Sequence, residues 1–323
     1  MDEVAEIKYD GKFHSNSFNV EPGTYDLTMT YGPGATEIHC QMHLRRVLIA
    51  DGCARESAVQ YRRSVFVGND RLVLANRSAN FACAPKIRLA PMTKTVFLAG
   101  DSTVCDQVAD PWWSWGQMLP CFLGRGAAVL NCAQSGKSAQ AFVSDGLLSS
   151  ILNRMKADDV VLFQFGHNDQ KIRVDAIARY EEALEECVIQ TRGHKGIPMI
   201  VTPVQRAHFE RDGTIKNTLG DFPFAARELS ARLGVDCVDL TARSTEYLTR
   251  LGPLLALPLF VHAPPGQWPS HPHGIKSRSH HSMHGAYEMA KCVARELRRL
   301  ECPLRHFIEE PPAMKFSGTP WLV

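Results

Sequence analysis

Between Phe18 and about Leu89 the hydrophobic positions come in short runs that alternate with polar ones and stop at turn residues: "SFNV", "TYDLTMTYG", "IHCQMHLRRVLIADG", "YRRSVFVGNDRLVLANRS". Alternation of period two bounded by Gly, Pro, Asn and Asp is the pattern of half-buried strands. "GND" between "RSVFV" and "RLVLA" predicts a hairpin turn. This stretch reads as a β-rich module, a small β-sandwich. From Pro91 the texture changes. Near-continuous apolar runs, "TVFLAG", "AAVLNCA", "DVVLFQFG", "IPMIVTPV" and "VDCVDL", now alternate with "GQMLPCFLG", "SDGLLSSILNRMK", "DAIARYEEALEECVIQTRG" and "FPFAARELSARLG", whose apolar residues recur at helical spacing. Such alternation predicts an α/β fold, a parallel sheet covered by helices on both faces.

The chain has 323 residues, more than one domain usually holds, and the change in texture divides it into residues 1–92 and 93–323. With 45% hydrophobic and 22% charged residues the composition is that of an ordinary globular protein. The formal net charge is +2 and the arginines are dispersed, so neither nucleic acid nor an anionic membrane is an expected partner. The opening "MDEVAEIKYDGKF" has acids where a signal peptide needs a basic and then an apolar run, and no stretch resembles a membrane span. A cytoplasmic location is the expectation. Ten cysteines are scattered singly without a CxxC, which predicts reduced thiols in packing roles. The patterns specify neither the role of the N-terminal module nor the oligomeric state.

In a parallel sheet the site lies beyond the carboxyl ends of the strands. The first such end carries Gly100, Asp101 and Ser102. Exposed there, Ser102 is either a nucleophile beside backbone donors or a helix cap. The second end carries "NCAQSGKS", where Gly136 lets backbone N–H groups approach a ligand or simply makes a turn. The third carries "FGHNDQ", in which Asn168 offers a neutral amide donor or again a turn.

Taken together, "GDSTV" (100–104), "NCAQSGKS" (131–138) and "GHND" (166–169) resemble the first three blocks of the SGNH, or GDSL, hydrolases. "WGQMLP", "QFGHNDQK", "TPVQR" and "GAYEMAK" are similar to the rhamnogalacturonan acetylesterase-like branch. The resemblance runs from about Thr95 to Leu300, and the β-rich module also resembles one found in bacterial members. It implies a flavodoxin-like three-layer domain that removes acetyl groups from pectic oligo- or polysaccharides, with no metal or cofactor. It implies Ser102 as nucleophile and an oxyanion hole made of the Ser102 N–H, Gly136 and Asn168. The family's last block supplies an Asp and a His separated by two residues. Counting from Gly285 puts that histidine at His280, and the acid position then falls on Ser277. No carboxylate occurs between residues 247 and 287.

That departure leaves several readings open: a slower Ser–His dyad, a carboxylate or carbonyl from elsewhere in the chain, or a decayed site that only binds sugar. A lipase or thioesterase on the same scaffold is a further alternative. His271, His273, His280, His281 and His284 also suggest a metal, although Pro272 and Gly274 predict a loop there without an acid or cysteine close by. Asp101, His167, Arg206 and Trp115 are the candidate substrate contacts. His167 is read chiefly as shaping the pocket, and Trp112, Trp113 and Trp115 as sugar platforms or core.

Overall fold

The computed structural model describes residues 3–9, 13–35, 38–77 and 80–310. Eight strands come first: β1 (Glu3–Tyr9), β2 (Phe13–Asn19), β3 (Gly23–Tyr31), β4 (Ile38–Met42), β5 (Arg46–Asp51), β6 (Val59–Val67), β7 (Arg71–Arg77) and β8 (Lys86–Leu89). They form two antiparallel sheets, β1-β2-β7-β4-β5 and β6-β3-β8. The period of two sorts their side chains: Tyr25, Leu27, Met29 and Tyr31 of β3 all enter one core with Ile38, Cys40, Leu72 and Leu74.

The "GND" turn is not a hairpin. β6 pairs along its length with β3, while β7 lies between β2 and β4 in the other sheet. The chain therefore crosses between sheets, and Val65 and Val67 share a core with Leu72 and Leu74. Paired as neighbours, the same residues would line one face of a single sheet and leave the other sheet uncovered.

The α/β part follows the sequence pattern. Its strands β9 (Lys94–Gly100), β10 (Ala127–Asn131), β11 (Val160–Gln164), β12 (Ile197–Val201) and β13 (Cys237–Val238) form a parallel sheet in the order β10-β9-β11-β12-β13, the flavodoxin-like winding. The strands read as unbroken apolar runs because both faces are covered. Val96 and Leu98 face one core, Phe97 and Ala99 the other, and β11 divides Val160 and Leu162 from Val161 and Phe163 in the same way.

Helices α1 (Trp115–Met118), α2 (Ala139–Ser144), α3 (Leu147–Leu152), α4 (Ala176–Gly193), α5 (Phe222–Leu233), α6 (Leu240–Ala256) and α7 (Met283–Arg299) complete the layers. α1 and α7 cover the first face, α2 to α5 the second. β5 is buried along its whole length: Leu48 and Ile49 belong to the sandwich core and Val47 and Ala50 to the α/β core. The histidine-rich segment is not a loop throughout. A turn at His271–Gly274 leads into β15 (Ile275–His281), antiparallel to β14 (Phe260–Ala263). No helix among the described residues is long and apolar enough to cross a membrane.

Candidate active site

β9 ends at Gly100, where a side chain would not fit: a Cβ would lie 2.7 Å from the Gln164 carbonyl oxygen and 2.6 Å from Val104. The chain then tightens into turns, with the Val104 and Cys105 N–H groups donating to the Asp101 carbonyl at 3.1 and 2.9 Å. Asp101 Oδ1 accepts from the Thr103 N–H and hydroxyl, both at 2.8 Å. No helix starts here, and the Asp101 side chain closes the turn. Ser102 Oγ instead lies 2.9 Å from Nε2 of His280.

His280 is the penultimate residue of β15. Its Nδ1 is 3.4 Å from Ser277 Oγ, and that same oxygen accepts the backbone N–H of His280 at 3.0 Å and of Ser279 at 3.3 Å. The Trp112 ring meets the imidazole edge-on, centroids 5.4 Å apart. His281, next along the strand, is fully buried against Phe260, so the two adjacent histidines serve opposite faces.

The loops after β10 and β11 come together beside the serine. The Gln134 N–H donates to the Gly100 carbonyl at 3.0 Å, and Gly136 takes φ +81°, a left-handed turn that glycine adopts without strain. Asn168 Nδ2 donates to the Lys137 carbonyl at 3.1 Å, and Lys171 Nζ donates to its Oδ1 at 2.7 Å. One amide hydrogen of Asn168 is left over by this bonding. Asp169 ties both loops: Oδ1 accepts the Ala139 N–H and Oδ2 the Gly166 N–H, each at 2.8 Å. Burial pushes its carboxyl up to about 6, against the pull of these bonds.

No family model matches the chain. Among curated proteins, rhamnogalacturonan acetylesterase RhgT of Bacillus subtilis (strain 168) is 38% identical over 213 residues, 65% of this chain and 92% of its own. The probable rhamnogalacturonan acetylesterase YesY of the same organism is 31% identical over 224 residues, 67% of this chain and 98% of its own. The chain belongs to the rhamnogalacturonan acetylesterase-like branch of the SGNH hydrolases. It is a serine ester hydrolase. The crystal structure of B. subtilis YxiM has the same fold at TM-score 0.58 and 23% identity, covering 88% of this chain and 80% of that one. The uncharacterised esterase YxiM also aligns in sequence over 90% of this chain at 26% identity, so that relative spans the β-rich elements as well.

In this SGNH hydrolase several candidate substrate contacts are interior groups. Asp101 is fully buried; burial would raise its pKa, but His167 beside it and the Thr103 bonds hold it below the usual carboxylate range. His167 spends Nδ1 on Asp101 at 3.2 Å and Nε2 on the Val204 carbonyl at 2.9 Å, so it shapes the wall from behind. Trp115 is fully buried, with its indole N–H on Gln164 Oε1 at 2.8 Å. An apolar ring on the first face of the sheet is worth more in the core than at a mouth, and Trp115 cannot stack on a sugar. Trp112 is the half-buried tryptophan of the three. Arg206 stays in the wall, half-buried, with Nη1 on the Thr218 carbonyl at 2.8 Å. Burial, together with the Lys171 and Arg206 charges, lowers the His280 pKa below its ordinary value, with Asp101 pulling the other way. Sequence reading missed Gln107, whose amide donates to the Ser102 carbonyl at 2.7 Å; it lies just beyond the "GDSTV" block and only folding brings it back.

Proposed function

We propose that this enzyme is a carbohydrate esterase that removes acetyl groups from pectic, rhamnogalacturonan-type oligo- or polysaccharides. The bond between Ser102 Oγ and His280 Nε2 at 2.9 Å carries the reading, with the activities of the two B. subtilis relatives supporting the substrate class. Ser102 attacks the acetyl carbonyl while His280 Nε2 takes its proton. The developing oxyanion is received by the N–H groups of Ser102 and Gly136 and by the spare amide hydrogen of Asn168. The tetrahedral intermediate collapses to acetyl-Ser102, and the sugar hydroxyl leaves with the proton held by His280. Water activated by His280 then releases acetate. Residues 1–92 and 93–323 act as two domains, the first an accessory β-sandwich.

The base is oriented by a hydroxyl, not a carboxylate. General-base catalysis needs a proton on Nδ1 and a free pair on Nε2. A serine oxygen has two lone pairs, and both already face backbone N–H groups. Ser277 is a weak acceptor for Nδ1–H, which makes the enzyme a slow Ser–His esterase. The test compares acetate release from acetylated rhamnogalacturonan by the wild type and Ser102→Ala. Release by the wild type alone supports the reading. Equal background rates, with sugar binding retained, would make the domain a carbohydrate-binding protein; preference for long acyl p-nitrophenyl esters would move it to a lipase class.

A further inference from the structure

We propose that the N-terminal β region completes the active site, with Arg45 and Arg46 as positioning residues that hold the loop 106–113 against both Ser102 and His280. The loop touches the catalytic pair at two points. Near its start, Gln107 Nε2 donates to the Ser102 carbonyl at 2.7 Å. Near its end, the Trp112 ring meets His280, and the Trp113 N–H donates to the His281 carbonyl at 3.1 Å.

Two consecutive arginines, Arg45 in the turn before β5 and Arg46 at the first position of that strand, reach across and take hold of it. Arg45 Nη1 donates to the carbonyls of Gln107 at 3.3 Å and Trp112 at 3.4 Å, its Nη2 bonds Asp110, and its guanidinium lies 3.9 Å from the centre of the Trp113 ring. Arg46 Nε donates to Asp106 Oδ2 at 2.8 Å in a nearly buried pair, with Asn131 Nδ2 on the other oxygen at 2.9 Å. Arg45 itself is held at φ +61°, a conformation an arginine keeps only where its surroundings demand it.

The loop is also anchored from inside, with Trp113 buried in the α/β core and Gln117 Nε2 donating to the Gln107 carbonyl at 3.0 Å. The outer side of the loop, at Val108, Ala109 and Asp110, faces a cavity of about 760 Å³ shared with Gln41, His43 and Phe66. With open space behind residues 108–110, the arginines supply the tie on the outer side of the loop. Arginine suits the task because one planar fork can satisfy two carbonyls and a carboxylate while stacking on an indole.

The proposal rests on Ser102 being the nucleophile, so the experiment reads that serine directly. Full-length wild type, Arg45→Ala, Arg45→Lys and the exposed-arginine control Arg88→Ala are compared by p-nitrophenyl acetate kinetics and by the rate at which a fluorophosphonate labels Ser102. The expectation for Arg45→Ala is a kcat about 10- to 100-fold lower with little change in KM, and slower labelling in proportion. Arg45→Lys, which keeps the charge without the fork, recovers only part, and Arg88→Ala matches the wild type. A folded Arg45→Ala with wild-type kcat and labelling overturns the proposal. Should Arg45→Ala not fold, Gln107→Ala severs the loop from Ser102 while leaving the arginine contacts: the same loss of kcat supports the proposal, and an unchanged kcat overturns it. Failure of the wild type itself to label would instead remove Ser102 as nucleophile.

Discussion

Ser277 Oγ sits 3.4 Å from Nδ1 of His280 and 3.0 Å from the backbone nitrogen of the same residue. A side chain that serves its own backbone first has little left for the imidazole, and its one proton points it toward donating. Donation to Nδ1 favours the tautomer with hydrogen on Nε2, which cannot accept from Ser102.

Replacing Ser277 by Asp should therefore speed the reaction. A carboxylate has capacity for both backbone N–H groups and for Nδ1–H, and it stabilises the imidazolium. We expect kcat to rise by between about 10-fold and the 10⁴-fold that separates a charged from a neutral partner in serine proteases. Steady-state kinetics on Ser277→Asp checks this, and an unchanged or lower kcat in a folded variant counts against it.

The pH profile should carry the same signature. Burial keeps His280 neutral to lower pH than a free imidazole, so the acid limb of kcat/KM in the wild type should fall below about pH 6.5. In Ser277→Asp the added negative charge favours the protonated ring and moves that limb upward. A wild-type limb at or above the ordinary histidine value contradicts the burial argument.

Asp169→Asn should separate the loops that follow β10 and β11. Both carboxylate oxygens accept a backbone N–H, and an amide turns one acceptor into a donor facing another donor. Loss of a buried bond of this kind costs about 1–3 kcal/mol. Thermal melting should show that loss, together with a fall in kcat as Gly136 and Asn168 lose their mutual placement. Wild-type melting and kcat would mean that the loops hold without it.

His281 should make the fold acid-sensitive. Its ring is fully buried, neither nitrogen has a partner among the described residues, and burial, helped by His280 and His167, drives its pKa down to about 3. The unfolded chain takes up this proton near pH 6.5 and the folded one only near 3, so stability is full above 6.5 and falls as pH drops between the two values. The loss amounts to as much as about 5 kcal/mol. His281→Phe should flatten the pH dependence of denaturant midpoints across that window; an identical slope in both proteins would sink the assignment.

The sequence by itself determined the α/β layering, because strands covered on both faces must be apolar throughout, and "TVFLAG" and "DVVLFQF" are. It also singled out Ser102, Gly136, Asn168 and His280 as candidates, because their motif blocks could be read locally, and the fold brings Ser102 and His280 to 2.9 Å. The missing carboxylate was legible as well, being a matter of counting back from Gly285. Tertiary structure decided what local pattern cannot carry. It sent "GND" between two sheets, because the choice between a hairpin and a crossing depends on which partners β6 and β7 find. It buried Trp115 and left Trp112 beside His280, since a tryptophan's neighbours come from strands far away in the chain. It placed a turn closed by Asp101 where a helix start was an alternative, and left Ser102 for His280, 178 positions distant. It also carried Arg45 and Arg46 to the catalytic loop, because β5 is packed into both cores at once.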